Sequence, residues 1–253
     1  MIKVENVDVW GFEHAIRGMR NPLNSWAKSD SFMYGTATVY ADDKIIAEMI
    51  GPNDLELMRK LYAAGPEHRK YLRQIFVSMD ITAPLYWWKE FDTYKVGTVA
   101  NSCSTMHKIH AKEFTLDDFS HEHLIFEEDV PSGEYDGIWD TTELDEKYCA
   151  INDGDFCEYT CYPGNYLNWT IHFLNRAREL YLKTKDKKYW WQMIQLLPSS
   201  YNQRRTITMN YENVMTMIKQ RSGHKLDEWN QFVDILKDLP YIEEIRNETS
   251  RSE

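Results

Sequence analysis

The sequence lacks any apolar run long enough to cross a membrane, since no window approaches the roughly 20 apolar residues that a transmembrane helix needs. Residues 1–14 contain no basic stretch followed by an apolar run, so a secretory signal is not expected. Together these absences predict a cytoplasmic protein without a membrane partner.

Cysteine is scarce, with four residues in the chain, and a cytoplasmic location predicts that all four are reduced. Cys157 and Cys161, with Cys149 and His172 nearby, are candidates for a zinc site. Structural zinc sites usually place two residues between paired cysteines and repeat the pair, and neither condition holds here. A structural zinc protein is therefore the lowest-ranked hypothesis, and no metal is expected.

Basic residues are outnumbered by acidic ones, 29 to 40, which gives a net charge of −11. An acidic surface repels a phosphate backbone, so nucleic acid is not an expected partner. A small anionic nucleotide stays compatible with the sequence, because a local cluster of arginine, lysine and amide groups can hold it. The chain also lacks a Walker loop, a dinucleotide fingerprint, a nucleophile elbow and a His-Glu-x-x-His motif, so nothing points to the chemistries that those motifs carry.

Aromatic residues, by contrast, are abundant: 9 Trp, 16 Tyr and 10 Phe. Their side chains supply large buried surfaces and also line sites for flat ligands, and the core is the commoner place for any one of them. A chain of 253 residues, 43% hydrophobic and without an internal repeat or low-complexity linker, predicts a single domain spanning residues 1–253. The acidic stretch at about 113–148 is interpreted as a mostly irregular surface excursion of that domain.

Hydrophobic periodicity predicts more helices than strands, and the two do not alternate regularly, which favours an α+β arrangement over a doubly wound sheet. Asn53 or Asp54 is expected to cap the first clear helix, Pro84 to open the next one, and Gly223 to end a later one. Helices are predicted to start near residues 55, 85, 166, 188, 210 and 226, and strands are predicted at 37–40, 45–46 and 75–81.

Residue types alone identify two candidate sites, one a polar segment and the other a single histidine. Arg204 and Arg205 lie with neighbouring amides in segment 198–221, just before a predicted helix start. Such groups bind planar, anionic ligands, and a polar loop before a helix is an equally compatible interpretation. His68 stands alone between helix-breaking residues and a strand, a position typical of a surface or helix-end residue.

The order of these segments resembles that of the flavin-dependent thymidylate synthases. In that family a histidine precedes a strand, a proline opens the next helix, and an Arg-His-Arg motif follows it; His68 and Pro84 have the fitting spacing. Asn101 and Ser104 match an Asn and a Ser of the same motif region. The family's Leu-Pro, Asn, Arg and His recur in order as Leu197-Pro198, Asn210, Arg221 and His224. The resemblance covers roughly residues 50–110 and 165–235.

Several positions depart from the family pattern. Of the Arg-His-Arg motif only a cation, Lys95, survives, with Tyr94 before it, and Glu90 stands in place of a glutamine. Two family arginines are replaced by Ile194 and Glu212. The change to Glu212 reverses the sign of a charge-assisted contact, which disfavours an identical ligand pose.

The resemblance implies an α+β fold with helices packed on a mostly antiparallel sheet, and a homotetramer with FAD sites between subunits. It implies reductive methylation of dUMP to dTMP using FAD, NADPH and methylene-tetrahydrofolate, in which the protein supplies binding, orientation and electrostatics. The residues implied to bind the flavin are His68, Tyr94, Lys95, Asn210 and His224. Those implied to bind the deoxyuridine nucleotide are Glu90, Asn101, Ser104 and Arg221. The alternative is a catalytically altered or inactive homologue that binds nucleotides in a regulatory or structural role.

Overall fold

The computed structural model describes residues 2–33, 48–129 and 162–246. The chain forms two compact units, here named the first unit (Met1–Cys103 with Gln203–Glu253) and the second unit (Ser104–Asn202). The strands predicted at 37–40 and 45–46, the cysteines other than Cys103, and residues 130–148 of the acidic stretch lie outside the described residues.

A four-stranded sheet forms the centre of the first unit, with strand order β1-β4-β6-β5. Strand β1 pairs antiparallel with β4, and β5 pairs antiparallel with β6, while β2 and β3 form a separate short ladder. The strands are β1 (Lys3–Trp10), β2 (Phe32–Met33), β3 (Glu48–Met49), β4 (Phe76–Pro84), β5 (Thr98–Ser102) and β6 (Asn202–Asn210).

The helices of the first unit are α1 (Phe12–Arg20), α2 (Pro52–Ala63), α3 (Leu85–Phe91), α7 (Tyr211–Arg221), α8 (Asp227–Lys237) and α9 (Ile242–Arg246). Those of the second unit are α4 (Thr105–Lys108), α5 (Pro163–Thr184) and α6 (Lys187–Leu196). Single 3₁₀ turns lie at Asn21–Leu23, Trp26–Lys28, Lys70–Gln74, Leu116–Asp118 and Glu127–Asp129.

Strand β4 shows why one face of the sheet is buried. Val77, Met79 and Ile81 are almost fully buried, whereas Ser78 and Asp80 between them are only partly covered. Side chains alternate across a strand, so this pattern gives one apolar and one polar face. The apolar face shares a single hydrophobic core with α3, α7 and α8.

Five buried rings join α3 to α8 within that core. The Trp87 ring lies 4.8 Å from Trp229 and 5.3 Å from Phe232, and it also contacts Trp88 and Phe91 at 4.9 Å and 5.1 Å. Stacked and edge-to-face aromatic pairs of this kind each contribute about 0.5–1.5 kcal/mol beyond area burial. Trp87 and Trp88 are therefore core residues, which decides between the two interpretations that the sequence left open.

The predicted start of α2 is wrong. The helix begins at Pro52 rather than near Leu55, and neither Asn53 nor Asp54 caps it. Asp30 accepts the backbone N–H groups of both residues instead, at 2.9 Å and 3.1 Å. The Asp54 side chain points into the first unit, where it forms a buried ion pair with Arg20 at 2.5 Å.

The other elements predicted within the described residues are found with small changes of boundary. Helix α3 starts directly after Pro84, and α7 starts after Asn210, whose side chain caps it. Gly223 follows α7 with a φ of +71°, the left-handed conformation that glycine adopts without cost after a helix. Strand β1 and helix α1 were not predicted, although Phe12, Ala15, Ile16 and Met19 recur at helical spacing and are all buried.

The second unit has a core of its own, made of Ile109, Phe114, Phe119, Leu167, Leu174, Ala177 and Met193. Phe114 and Phe119 are 4% and 1% exposed, so the start of the stretch interpreted as a surface excursion belongs to a core. Asn175 of α5 fixes this segment by bonding both the N–H and the carbonyl of Phe114 at 2.8 Å.

The α+β class is confirmed, with helices packed on a four-stranded antiparallel sheet. Within the described residues, no helix combines the length and the apolar character that crossing a membrane requires.

Candidate functional site

Four of the predicted site residues meet where α3 and α7 end. Glu90 lies in the last turn of α3 and Tyr94 just beyond it, while Arg221 is the last residue of α7 and His224 follows. The two helices bury their apolar sides in the same core, and this brings their C-terminal ends together.

Arg221 is the centre of this cluster. Its Nη1 donates to Glu90 Oε2 at 2.6 Å, and its Nε donates to the Tyr94 hydroxyl at 2.9 Å. The guanidinium also lies 4.6 Å from the centroid of the Trp229 ring, a favourable cation–π geometry. With a side chain only 18% exposed, Arg221 is held in one orientation and does not behave as a loose helix-end arginine.

Glu90 is held from several sides through one oxygen. Its Oε2 accepts the Trp229 indole N–H at 2.9 Å as well as the Arg221 donor. Hydrogen bonds to a charged acceptor are stronger than those between neutral groups, so the carboxylate is firmly positioned. The Glu90 side chain is nevertheless 36% exposed.

The contacts of His224 indicate which of its two ring nitrogens carries the proton. Its Nδ1 accepts the backbone N–H of Leu226 at 3.1 Å. A neutral imidazole has one donor and one acceptor nitrogen, so the proton lies on Nε2. That N–H faces Glu90 Oε2 at 3.4 Å, which makes the neighbouring Arg221 Nη1, at 3.1 Å, a close contact between two donors and not a hydrogen bond.

Asn210 lies at the turn that follows Tyr94 and Lys95. Its Oδ1 caps α7 by accepting the N–H of Asn213 at 3.0 Å, and Asn213 Nδ2 donates to Val96 O at 2.7 Å. Gly97 has a φ of +76°, and a Cβ at this position would lie 2.5 Å from Asn210 Nδ2. The turn thus requires glycine for both its conformation and its close approach to Asn210.

The other predicted site residues lie elsewhere. Lys95 is exposed and has no ion-pair partner among the residues that the structure describes, and His68 is exposed in the turn before β4. Asn101 is on edge strand β5 opposite Thr206. Ser104 belongs to the second unit, where its Oγ caps α4. The binding roles of all these residues stay predictions.

Arg204 and Arg205, the two adjacent arginines of segment 198–221, are both occupied by carboxylates. Arg204 donates to Asp80 at 2.7 Å, and Arg205 donates to Asp92 at 2.7 Å while stacking 4.2 Å from the Trp88 ring centroid. Both arginines lie in strand β6 and not in the polar loop that was the alternative interpretation. Neither arginine is a free cation.

Glu212, which stands where the family has an arginine, also serves as a counter-ion. It pairs with Arg69 at 3.5 Å and more closely with Arg73. Ile194, at the other altered arginine position, packs against the core of the second unit. Glu212 is therefore paired with cations, and Ile194 contacts apolar side chains, so each replacement suits its surroundings.

Asp80 marks a polar cluster on the uncovered face of the sheet. It accepts hydrogen bonds from Thr206 Oγ1 at 2.5 Å, Arg204 at 2.7 Å and Asn6 Nδ2 at 2.8 Å. These three bonds, that of Thr206 foremost, lower the pKa of the Asp80 carboxyl to about 2. Asp80 is consequently a fixed anion that joins β1, β4 and β6.

Two contributors to the Arg221 cluster were not predicted. Trp229 was assigned only to the apolar face of its helix, yet its N–H bonds Glu90 and its ring stacks on Arg221. Gln220 accepts the Tyr94 hydroxyl at 2.9 Å. The sequence did indicate that Trp229 needs a polar partner, because the indole N–H of a buried tryptophan usually donates a hydrogen bond.

No group of three or more potential metal ligands occurs among the described residues. Because three of the four cysteines lie outside them, the zinc hypothesis at Cys157 and Cys161 stays a prediction.

Comparison with solved structures gives matches along almost the whole chain. Thymidylate synthase X (ThyX) from Helicobacter pylori, solved with FAD and dUMP, is 15% identical and matches over 97% of both chains with a TM-score of 0.58. The UMP/dUMP methylase PolB from Streptomyces cacaoi, bound with 5-Br dUMP, is 13% identical over 94% of this chain and 88% of its own, with a TM-score of 0.52. No family model and no curated protein matches the sequence. The chain therefore shares the fold of ThyX and PolB.

Proposed function

We propose that this chain is a flavoprotein of the thymidylate synthase type, which methylates the uracil ring of dUMP to give dTMP using FAD, NADPH and methylene-tetrahydrofolate. The observation that carries the proposal is the assembly of Glu90, Tyr94, Arg221 and His224 at one place on a fold shared with ThyX and PolB. These are four positions at which the sequence resemblance predicted ligand contacts.

The residues present fit a flavin at the Tyr94 end of the cluster. Lys95 offers an exposed ammonium without a described counter-ion, suited to a phosphate, and Tyr94 offers a partly exposed ring beside it. When bound, the reduced flavin supplies the hydride. The protein's own residues bind and orient: Arg221 and Glu90 present fixed hydrogen-bonding groups, and Trp229 holds them in place.

A turnover assay tests this proposal. Purified protein is supplied with dUMP, FAD, NADPH and methylene-tetrahydrofolate, and dTMP is measured by chromatography. We expect product from the wild type and at least a tenfold loss in Arg221→Ala, while Arg205→Ala, which also loses a carboxylate-paired and tryptophan-stacked arginine, stays active. A folded wild type that binds FAD and dUMP but forms no dTMP contradicts the catalytic proposal.

The second candidate function is a nucleotide-binding homologue without this activity. The observation that favours it is the pairing of Arg204, Arg205 and Arg221 with carboxylates, which leaves less positive charge for phosphates than the sequence indicates. Binding without turnover in the same assay supports this candidate. A homotetramer and a cytoplasmic location belong to the main proposal as further expectations.

A further inference from the structure

Strand β5 (Thr98–Ser102) forms one edge of the four-stranded sheet, and its inner side pairs with β6. Within residues 2–33, 48–129 and 162–246, the backbone groups of β5 bond to no element other than β6. Four of its five side chains are exposed, all except Thr98. An open row of strand N–H and C=O groups of this kind is a template on which another strand can pair.

The opposite edge strand, β1, carries features that prevent such pairing. It contains three charged residues, Lys3, Glu5 and Asp8. A bulge separates Glu5 from Asp8, and Asn6 within it has a φ of +52°. If two copies of β1 met antiparallel about its centre, Glu5 would face the partner subunit's Asp8, and like charges directly opposite are destabilising. Strand β5, by contrast, has no charged residue, no proline and no bulge against β6.

The sequence of β5 is complementary to a second copy of itself. An antiparallel pair centred on Ala100 is the register that pairs all five residues, and it places Ala100 opposite the partner subunit's Ala100. Thr98 then lies opposite the partner subunit's Ser102, and Val99 lies opposite the partner subunit's Asn101. None of these pairs is charged, and cross-strand pairs of Thr with Ser stabilise a sheet through their hydroxyl groups.

We propose that β5 is an interaction surface for a second copy of this chain, in which two β5 strands pair edge to edge and join the two sheets into one of eight strands. A contact about a two-fold axis brings the same patch of both subunits together, so it needs an edge that does not repel itself. Of the two edges of this sheet, β5 meets that requirement and β1 does not. The inference goes beyond the proposed function, because it holds whatever ligand the protein binds, and the expected homotetramer does not by itself assign this contact.

Cross-linking of single-cysteine variants tests the pairing and its register. In a full-length background with all four cysteines replaced by serine, Ala100→Cys should form a disulfide-linked dimer under mild oxidation. Directly opposed residues have Cβ atoms about 4.5–5.5 Å apart, which is close to the reach of a disulfide. A variant that keeps only the exposed Cys103 should not cross-link, because the two copies of Cys103 would lie six positions apart along the pair, about 20 Å. Val7→Cys, which is 37% exposed in β1, is the matched control on the other edge and should also stay unlinked.

A charge exchange at the same position separates the contact from damage to the fold. Ala100→Glu and Ala100→Lys each place two like charges opposite one another, so each variant alone should self-associate at least tenfold more weakly than the wild type in light scattering. Co-expression of the two variants should restore the wild-type mass, because Glu then faces Lys. A misfolded variant would not recover in this way.

Two results overturn the assignment of β5 and leave both the proposed function and the homotetramer standing. One is an oligomeric protein in which Ala100→Cys does not cross-link, or cross-links no better than Val7→Cys. The other is a pair of charge variants that each keep the wild-type mass. A wild-type protein that stays monomeric across a tenfold range of concentration overturns this inference together with the expected homotetramer, and the turnover assay then decides the proposed function separately.

Discussion

Individual carboxylates determine how much positive charge the first unit can offer a ligand. Glu90, Asp92, Asp80 and Glu212 each hold at least one arginine. These pairs join residues far apart in the chain, such as Arg221 and Glu90, which are separated by 131 positions. Sequence alone therefore identified the cations but not their neutralisation, since no local pattern reports contacts across the sheet and between helices.

The hydrogen-bonded cluster around Asp80 predicts a specific response to acid. A carboxyl whose pKa is about 2 in the folded protein, against an ordinary value of 3.8, stabilises the fold fully above about pH 4 and loses that contribution as the pH falls to 2. Asp80→Asn should unfold more easily by about 1.5–3 kcal/mol at pH 7, the scale of a hydrogen bond to a charged group. The difference from wild type should shrink between pH 4 and pH 2 in urea titrations.

Asp234→Asn is the matched control for that measurement, because Asp234 is 73% exposed and, among the described residues, forms an ion pair only with Lys237 of its own helix. It should change stability by less than about 0.5 kcal/mol. A pH-independent difference between wild type and Asp80→Asn would show that the carboxylate charge has no part in joining the strands.

At the scale of helices and strands, the sequence predicted elements wherever periodicity and caps agreed. Helix α7 shows both, with Asn210 at its start and Gly223 just beyond its end. Helix α2 shows the limit of this reasoning. Its cap comes from Asp30, a residue distant in sequence, while the local candidate Asp54 is used for a buried ion pair. Tertiary contacts of this kind cannot be inferred from a capping pattern.

The turn at Gly97, which contacts the residue that caps α7, leads to a prediction about stability. Gly97→Ala introduces a side chain at a φ of +76° and 2.5 Å from Asn210 Nδ2, the residue that caps α7. We expect a loss of about 2 kcal/mol in the free energy of unfolding, of which about 1 kcal/mol comes from the left-handed backbone. Chemical denaturation of the variant measures this.

Gly223→Ala provides the comparison, because its φ is +71° and a Cβ there meets nothing within 4 Å. It should lose only the backbone part, about 1 kcal/mol. Equal losses in the two variants would contradict a structural role for the contact between the Gly97 turn and Asn210.

For the whole molecule, the sequence predicted the α+β class and the order of the main segments, and the match to ThyX and PolB over more than nine-tenths of the chain agrees with it. The contribution of Phe114 and Phe119 to the core of the second unit was not predicted. Phe114 and Phe119 lie in a stretch dominated by acidic residues, and average composition hid the two aromatic anchors. Burial of a few side chains outweighs local charge when a helix such as α5 is available to cover them.

The prediction for the whole molecule concerns its oligomeric state. If the flavin sites lie between subunits, as the family resemblance implies, the protein should form a homotetramer. Multi-angle light scattering should then give about four times the chain mass of 30.1 kDa at micromolar concentration. A monomer mass that persists across a tenfold range of concentration would contradict both the assembly and shared sites.

The central claim is that the Arg221 cluster binds a pyrimidine nucleotide, and isothermal titration with dUMP, in the presence and absence of FAD, tests it most directly. The wild type should bind dUMP, and Arg221→Ala should lose about 1.5–3 kcal/mol of binding free energy while keeping its fold, the scale of a hydrogen bond to a charged group. Arg205→Ala, which removes an equally paired and stacked arginine, should bind as the wild type does. A folded wild type that binds no dUMP under either condition, or an Arg221→Ala variant that binds it undiminished, contradicts the claim.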